Sequence, residues 1–348
     1  MAAMIPANPR ILFIANAGPE VGGGHVMRCL TLAEAMGARG ASCAFAASPD
    51  VAVILEAFAP HMAREAAAAL NPDALVDSVT AAKFDAVVFD HYGLGRREHI
   101  SLADGKLSLV VDDLADRALG GDLVLDSGLD RNPLDYTLLV DGKTRLLLGP
   151  DYAPVRSQFG ELRPQALARR GGGVGRILLS LGLGEQGELT ERLVDLIRSR
   201  LGQASLDVVL GGQSPSVRAL NRIASRDTRL TIHVDTPHMA QVMAGSDLMI
   251  TAAGSTIWEG CTLGRPMIAL ILAENQRGVA QGLASRSAAM VIDPSTHDFE
   301  ATLDRTLVRL MSDGEARGRL ADAASEICTG QGAALVADAM FAVIAARS

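Results

Sequence analysis

Short apolar runs separated by amphipathic stretches dominate the chain. RILFIA, SCAFAA, FDAVVFD, LSLVVDD and DLVLDS fill the first 130 residues, each short enough to be a buried strand and several followed by helical periodicity. A second series opens at Arg176 with RILLSL and continues through LDVVLG, RLTIHV, DLMITA, PMIALIL and AAMVID, a helical pattern lying between each successive pair. Strict strand and helix alternation predicts right-handed crossovers and a parallel sheet, and two such series predict two Rossmann-like halves in an α/β chain. Between them, LGPDYAPVRSQFGELRPQALARRGGGVG is rich in Pro, Gly and Arg and reads as a linker. The expected division is a first domain over residues 1–155, a linker over 156–175, a second domain over 176–325 and a terminal helix over 326–348. That helix is Ala-rich, and in this architecture it can return to brace the first domain.

Composition sharpens this picture. Of 348 residues, 49% are hydrophobic, 21% charged and only 3% aromatic, so the core is built from Ala, Val, Leu and Ile, as suits parallel sheets covered on both faces. The formal net charge of -8 excludes a general nucleic-acid binder, which needs concentrated Lys and Arg. Cys29, Cys43, Cys261 and Cys328 are widely spaced and show neither zinc-ligand nor disulfide spacing. The start, MAAMIPANPR, has no apolar stretch, and no later segment is read as reaching the ~20 apolar residues of a membrane span. The expectation is a cytoplasmic protein with no membrane partner.

The first strand ends at Asn16 and leads through Gly18, Gly22, Gly23 and Gly24 into His25, where a helix begins. Glycines allow a ligand close to the backbone, and the positive end of a helix favours an anion and a neutral imidazole able to take a proton. The dinucleotide fingerprint fails here because its third glycine position is Met27. Gly182, Gly184 and Gly187 satisfy that spacing in the second half. The next strand, however, ends in Gly211, Gly212 and Gln213, without the carboxylate that would hold an adenosine ribose. This loop reads either as a plain tight turn or as a backbone approach to a diphosphate in an interdomain cleft.

The richest station is DLMITAAGSTIWEGCTLGRPMIALILAENQ. After its first strand, Gly254, Ser255 and Thr256 supply amides and hydroxyls suited to phosphate oxygens. One turn on, Glu259 can accept hydrogen bonds from two vicinal ribose hydroxyls. Asn275 and Gln276 follow the next strand, where their amides can read sugar hydroxyl or acetamido groups. Asp112, Asp113 and Asp116 in VVDDLAD form the one cluster resembling a metal site, but strand-end aspartates commonly serve turns, so no metal and no cofactor are assigned.

Taken together, GGGHVMRCLTLAEAM, VVFDHY, VVDDLAD, LLLGPDYAPVR and AAGSTIWEGCTLGRPMIALILAENQ resemble the UDP-sugar hydrolases of pseudaminic acid biosynthesis. The resemblance runs from Arg10 to the region of Gln276 and more loosely beyond. It implies the GT-B architecture of MurG-like glycosyltransferases, with two Rossmann-like domains whose parallel sheets face an interdomain cleft. It also implies release of UDP from a UDP-linked 2,4-diacetamido-2,4,6-trideoxy hexose with inversion and without a metal. On this resemblance His25 is the base on the attacking water, Asp90 and Tyr92 belong to the first-domain cleft segment, and Glu259, Asn275 and Gln276 contact nucleotide and sugar. Gly23 and Gly24 give close approach. Helix starts at Ser255 and Gly184, helped by Arg28 and Arg156, would compensate the diphosphate. Two departures stand out: Ile14, Ala15 and Asn16 occupy the place of the family's Arg-Ala-Asp triplet, and Leu183 separates Gly182 from Gly184. A glycosyltransferase using the same donor site and a non-catalytic UDP-sugar binder are the competing readings.

Overall fold

The computed structural model describes residues 8–18, 21–184 and 186–347. They form two compact units, one made of Met1–Val155 with Gln331–Ser348, the other of Arg156–Gly330.

The first unit is a seven-stranded sheet of β1 (Arg10–Ala15), β2 (Ser42–Ala47), β3 (Ala63–Ala66), β4 (Ala86–Asp90), β5 (Leu107–Val111), β6 (Leu123–Asp126) and β7 (Arg145–Leu148), in the order β3-β2-β1-β4-β5-β6-β7. Every pairing is parallel. Helices α1 (Gly24–Gly37), α2 (Pro49–Phe58), α3 (Pro72–Ser78) and α4 (Arg96–Ala103) connect its strands. Because successive side chains on a strand point to opposite faces, β1 sends Ile11 and Phe13 into one core with Val26 and Leu30 of α1. Leu12 and Ile14 enter the other core with Val87 and Phe89. The two strands not anticipated, β3 and β7, are short and lie at the sheet edges. β3 reads AREA and is mostly exposed, so no apolar run marks it.

The second unit holds α5 (Ser157–Ala168) and then a six-stranded parallel sheet. Its strands are β8 (Arg176–Ser180), β9 (Ser205–Leu210), β10 (Leu230–Val234), β11 (Leu248–Ala252), β12 (Met267–Leu270) and β13 (Met290–Ile292), ordered β10-β9-β8-β11-β12-β13. Helices α6 (Gly187–Arg198), α7 (Val217–Ala224), α8 (Met239–Ala244), α9 (Thr256–Thr262), α10 (Arg277–Ser285), α11 (Phe299–Ser312) and α12 (Gly314–Ile327) complete it. Both sheets are doubly wound. Their strand order reverses between β1 and β4 and between β8 and β11, the points outside whose carboxyl ends such sheets bind ligands.

Three expectations from the sequence change. Residues 156–175 are not a bare linker, since α5 occupies most of them and buries Phe159 and Ala166 in the second unit. The terminal helix starts later than expected, because α12 runs to Ile327 and α13 (Gly332–Arg347) begins after a break, and it belongs to the first unit. By length and apolarity alone, Gly314–Arg347 passes for a membrane span, contrary to the expectation that none would. Half of its most apolar window is buried within the protein, and α13 contributes to the first unit's core; at its rim Arg39, just past the end of α1, donates to Asp338 at 2.7 Å and to the Ala334 carbonyl at 3.0 Å.

Arg163, in the segment read as a linker, and two arginines further along, Arg265 and Arg317, share a physical task. Helices leave carbonyls and negative dipole ends at their C-termini, which in this alternating fold gather at the amino edge of the sheet. Arg163 donates to the carbonyls of Ser325 at 2.8 Å and Cys328 at 3.2 Å at the end of α12, and also to that of Thr262 in α9. Arg317 reaches the Leu310 carbonyl in α11 at 2.6 Å. Arg265, 2% exposed, donates to the carbonyls of Ser246 at 2.9 Å, Leu263 at 3.2 Å and Ala166. Burial, and to a smaller degree Arg170, pull its guanidinium down to about 10, which still leaves it charged at neutral pH. Arg265→Met removes three donors from buried carbonyls, so it should destabilise the second unit by about 3 kcal/mol or more. The one tryptophan, Trp258 in α9, reports on that unit, and its fluorescence midpoint in urea should fall accordingly. An unchanged midpoint would deny Arg265 this role.

Candidate active site

In the first unit the chain leaves β1 at Asn16, whose amide donates to the Asp90 carbonyl at 2.9 Å. It then makes a tight antiparallel bridge from Gly18 to Gly22, both at positive φ (146° and 72°), conformations that side chains resist. Gly23 stands before α1, whose first turn has no side-chain cap. A Cβ at Gly24 would meet no protein atom within 4 Å and Gly24 is exposed, so the protein's own packing does not require glycine there. Open backbone at an uncapped helix start suits close approach by a ligand.

His25, 6% exposed, projects from this first turn toward the end of β4. Its Nδ1 lies 2.5 Å from Oδ1 of Asp90, which is itself fully buried. Arg28, one turn along α1, donates from Nε to Oδ2 of the same carboxylate at 2.5 Å and from Nη2 to Oδ1 at 2.7 Å. Its Nη1 donates to both oxygens of Asp113 at 2.9 Å. Tyr92 donates to Asp113 at 2.6 Å and sets its ring edge-on to His25, with centroids 4.6 Å apart. Burial alone would push Asp90 up, but Arg28 and His25 outweigh it and hold the carboxyl well below the usual range. Burial and the neighbouring Asp113 push Tyr92 up, keeping it a phenol, while burial and Asp90 do the same for the Cys29 thiol.

This geometry decides a tautomer. An ionised Asp90 can only accept, so the short contact requires a proton on Nδ1 of His25. The Arg28 guanidinium, 3.2 Å from the same nitrogen, also only donates and therefore spends that proton on Asp90. In the neutral ring Nε2 is left as the nitrogen that takes a proton.

In the second unit, Gly182 has a φ of 88° after β8, and Gly184 follows it. Leu183 between them packs its Cδ2 3.2 Å from where a Cβ on Gly211 would stand, so Gly211 serves this contact at the end of β9. The hollow beside the loop, lined by Gly182, Gly184, Gln186 and Ser214, is about 10 Å³, room for one water. After β11, Gly254 is followed by exposed Ser255, whose side chain does not cap α9, and by half-buried Thr256. Glu259 accepts from Arg156 Nε at 3.0 Å and Nη2 at 2.7 Å, both on Oε1, and the guanidinium rests over the Phe159 ring at 5.0 Å. Gln276 bridges two strand ends: its Oε1 accepts from the Leu272 amide at 2.9 Å, and its Nε2 lies 3.7 Å from a Cβ built on Gly254. Asn275 shares a single 3-10 turn with it, Glu274–Gln276.

The comparisons with known proteins bear on this arrangement. Residues 212–338 match the glycosyltransferase family 28 C-terminal domain. The chain is 22% identical to the UDP-2,4-diacetamido-2,4,6-trideoxy-beta-L-altropyranose hydrolase of Campylobacter jejuni over 280 residues, 80% of this chain and 97% of that one. It is 22% identical to the spore coat polysaccharide biosynthesis protein SpsG of Bacillus subtilis over 324 residues, 91% of this chain and 94% of that one. A 141-residue stretch is 28% identical to the uncharacterized protein MJ1062 of Methanocaldococcus jannaschii, covering 39% of this chain and 29% of that longer one. The fold matches that of MurG from Acinetobacter baumannii with a TM-score of 0.63 at 19% identity over 95% of this chain and 99% of MurG. Over most of its length the chain is similar to the Campylobacter hydrolase and to SpsG. It carries the GT-B fold of two Rossmann-like halves.

Against the family pattern, His25, Arg28, Asp90 and Tyr92 fall into one hydrogen-bonded network, and Gly254, Glu259, Asn275 and Gln276 cluster at the carboxyl edge of the second sheet. Arg28 and Arg156 differ from expectation. Either is expected to help compensate a diphosphate, yet Arg28 donates from all three nitrogens to Asp90 and Asp113, and Arg156 donates from Nε and Nη2 to Glu259. Asp113, expected to serve a turn, joins this network because β4 and β5 are sheet neighbours, so residues just past their ends must approach each other. Asp112 is fully buried and accepts from Arg117 at 2.8 Å and Tyr136 at 2.9 Å, so its oxygens serve the fold.

Asp90→Asn should cost about 3–5 kcal/mol at pH 7, because it leaves Arg28 and His25 beside a neutral amide in a buried site. A carboxyl depressed on folding stabilises the native state above its unfolded value of about 4, and that stability is lost as pH falls toward the folded value. Urea unfolding followed by far-UV circular dichroism should therefore show the gap between wild type and variant narrowing below about pH 4. Parallel curves down to low pH would contradict the depressed carboxyl.

Proposed function

We propose that the protein hydrolyses a UDP-linked sugar, releasing UDP and the free sugar with inversion at the anomeric carbon. The observation that carries this reading is the buried contact of His25 Nδ1 with Asp90, which makes Nε2 a fixed general base at the carboxyl edge of the first sheet. Support comes from the C. jejuni relative, whose name specifies a UDP-sugar hydrolase and whose length is matched almost throughout. In this mechanism Nε2 takes a proton from water as its oxygen bonds to the anomeric carbon. The bond from that carbon to the UDP oxygen breaks, and the electron pair leaves with UDP. Asp90 then faces the imidazolium formed in the same step.

The nucleotide falls to the second unit. Glu259, oriented through Oε1 by Arg156, offers Oε2 to the ribose hydroxyls. Backbone amides of Gly254, Ser255 and Thr256, with both hydroxyls, take the diphosphate. Gly182 and Gly184 offer further backbone approach. Asn275 and the Nε2 of Gln276 donate to an acetamido carbonyl or a hydroxyl of the sugar. No step calls for a metal, and Asp112 and Asp113 are spent on Arg117, Tyr136, Arg28 and Tyr92. The substrate we assign is a UDP-linked 2,4-diacetamido-2,4,6-trideoxy hexose in cytoplasmic nonulosonate biosynthesis, which feeds flagellin or surface glycosylation. The match to a glycosyltransferase domain over residues 212–338 favours a second reading, in which an acceptor hydroxyl replaces water.

Purified protein incubated with that UDP-sugar and no acceptor should release UDP, in excess EDTA as well as without it. His25→Asn should keep UDP-sugar affinity and lose about two to four orders of magnitude in turnover. UDP release only when an acceptor is added would favour transfer, and binding without release would leave a non-catalytic protein. Normal turnover by the Asn variant would remove His25 as the base.

A further inference from the structure

Asp113 lies outside β5 at the carboxyl edge of the first sheet, and its side-chain oxygens accept three hydrogen bonds from two donors. Arg28 Nη1 reaches both at 2.9 Å, and the Tyr92 hydroxyl reaches Oδ2 at 2.6 Å. Each of those donors touches what holds His25. Arg28 clamps Asp90, which fixes Nδ1, and Tyr92 walls the imidazole edge-on. Asp113 is thus tied through Arg28 to the carboxylate that orients the ring and directly to the aromatic that confines it. Charge points the same way. Asp90 and Asp113 against Arg28 leave the network with one surplus negative charge while His25 is neutral, and a proton taken by Nε2 balances it.

We propose that Asp113 is a positioning residue for the base His25, acting through Arg28 and Tyr92; this rests on the assignment of His25 in the proposed hydrolysis. The side chain of Asp113 is bonded to Arg28 and Tyr92, so its removal acts on the ring they hold, and hence on turnover rather than on binding. The competing account is a purely structural ion pair, which would lower stability and leave the ring and the rate alone.

Asp113→Asn keeps the shape and removes the charge. Its affinity for UDP and its KM should stay near wild type while kcat falls about ten- to a hundredfold, the cost of a misplaced base. Spectra of protein labelled with nitrogen-15 histidine should show the His25 Nδ1 resonance moving, while that of His99, buried elsewhere in the first unit, stays in place. A lower melting temperature with His25 resonances and kcat both unchanged overturns the proposal. If Asp113→Asn does not fold, Tyr92→Phe carries the test: it keeps the ring and removes the donor to Asp113, so the same resonance should move in the same direction, and a stationary resonance overturns the proposal. Wild-type protein that releases no UDP from the sugar nucleotide would sink the hydrolase reading instead. The histidine spectra alone would then decide whether Asp113 positions the ring.

Discussion

A fully buried carboxylate at the end of β4 is the constraint on which the first unit turns. Taking Asp90 out of water costs several kcal/mol, and the penalty is offset only if its lone pairs find charged or strongly polar donors. Three of these come from a single helix turn, His25 Nδ1 and two nitrogens of Arg28. The pairing therefore sets the rotation of α1 against the sheet and the ring orientation of its first histidine together. It also holds the imidazole in one tautomer, since an acceptor-only partner leaves the ring no alternative.

The second unit handles charge differently. Its arginines are concentrated at the amino edge, where Arg163, Arg265 and Arg317 satisfy helix C-terminal carbonyls. At the opposite, carboxyl edge Arg156 is committed to Glu259. Positive charge is thus spent on the fold, and a diphosphate would meet mainly backbone amides and hydroxyls around Gly254 to Thr256. Such a site depends on preorganised dipoles rather than on mobile side-chain cations, and it gains from the exclusion of water.

The sequence made legible whatever is encoded in uninterrupted apolar runs or in one helix turn. All six strands of the second sheet appear as such runs, as do five of the seven in the first. β3 escapes because, reading AREA at the sheet edge, it has no apolar run, and β7 because its short RLLL run leads directly into the Gly- and Pro-rich segment read as the start of a linker. His25 and Glu259 stand out because glycines and small residues precede them. Pairings between distant segments were not legible. That Arg28 would spend itself on Asp90 and Asp113, sixty-two and eighty-five positions away, depends on β4 and β5 lying side by side, which strand order decides and local composition does not. Residues 156–175 misled for a related reason, since Pro, Gly and Arg are loop-like in composition, while the carbonyls that its Arg163 caps come from helices about a hundred or more residues further on.

The account comes down to one bond. If His25 activates water against the anomeric carbon, turnover in water enriched in heavy oxygen must place the label on the anomeric hydroxyl of the released sugar and leave the UDP unlabelled. Mass spectrometry of both products after a single turnover reads this directly. Label in the terminal phosphate of UDP would mean attack at phosphorus, and the account of the first-unit site given above would be wrong.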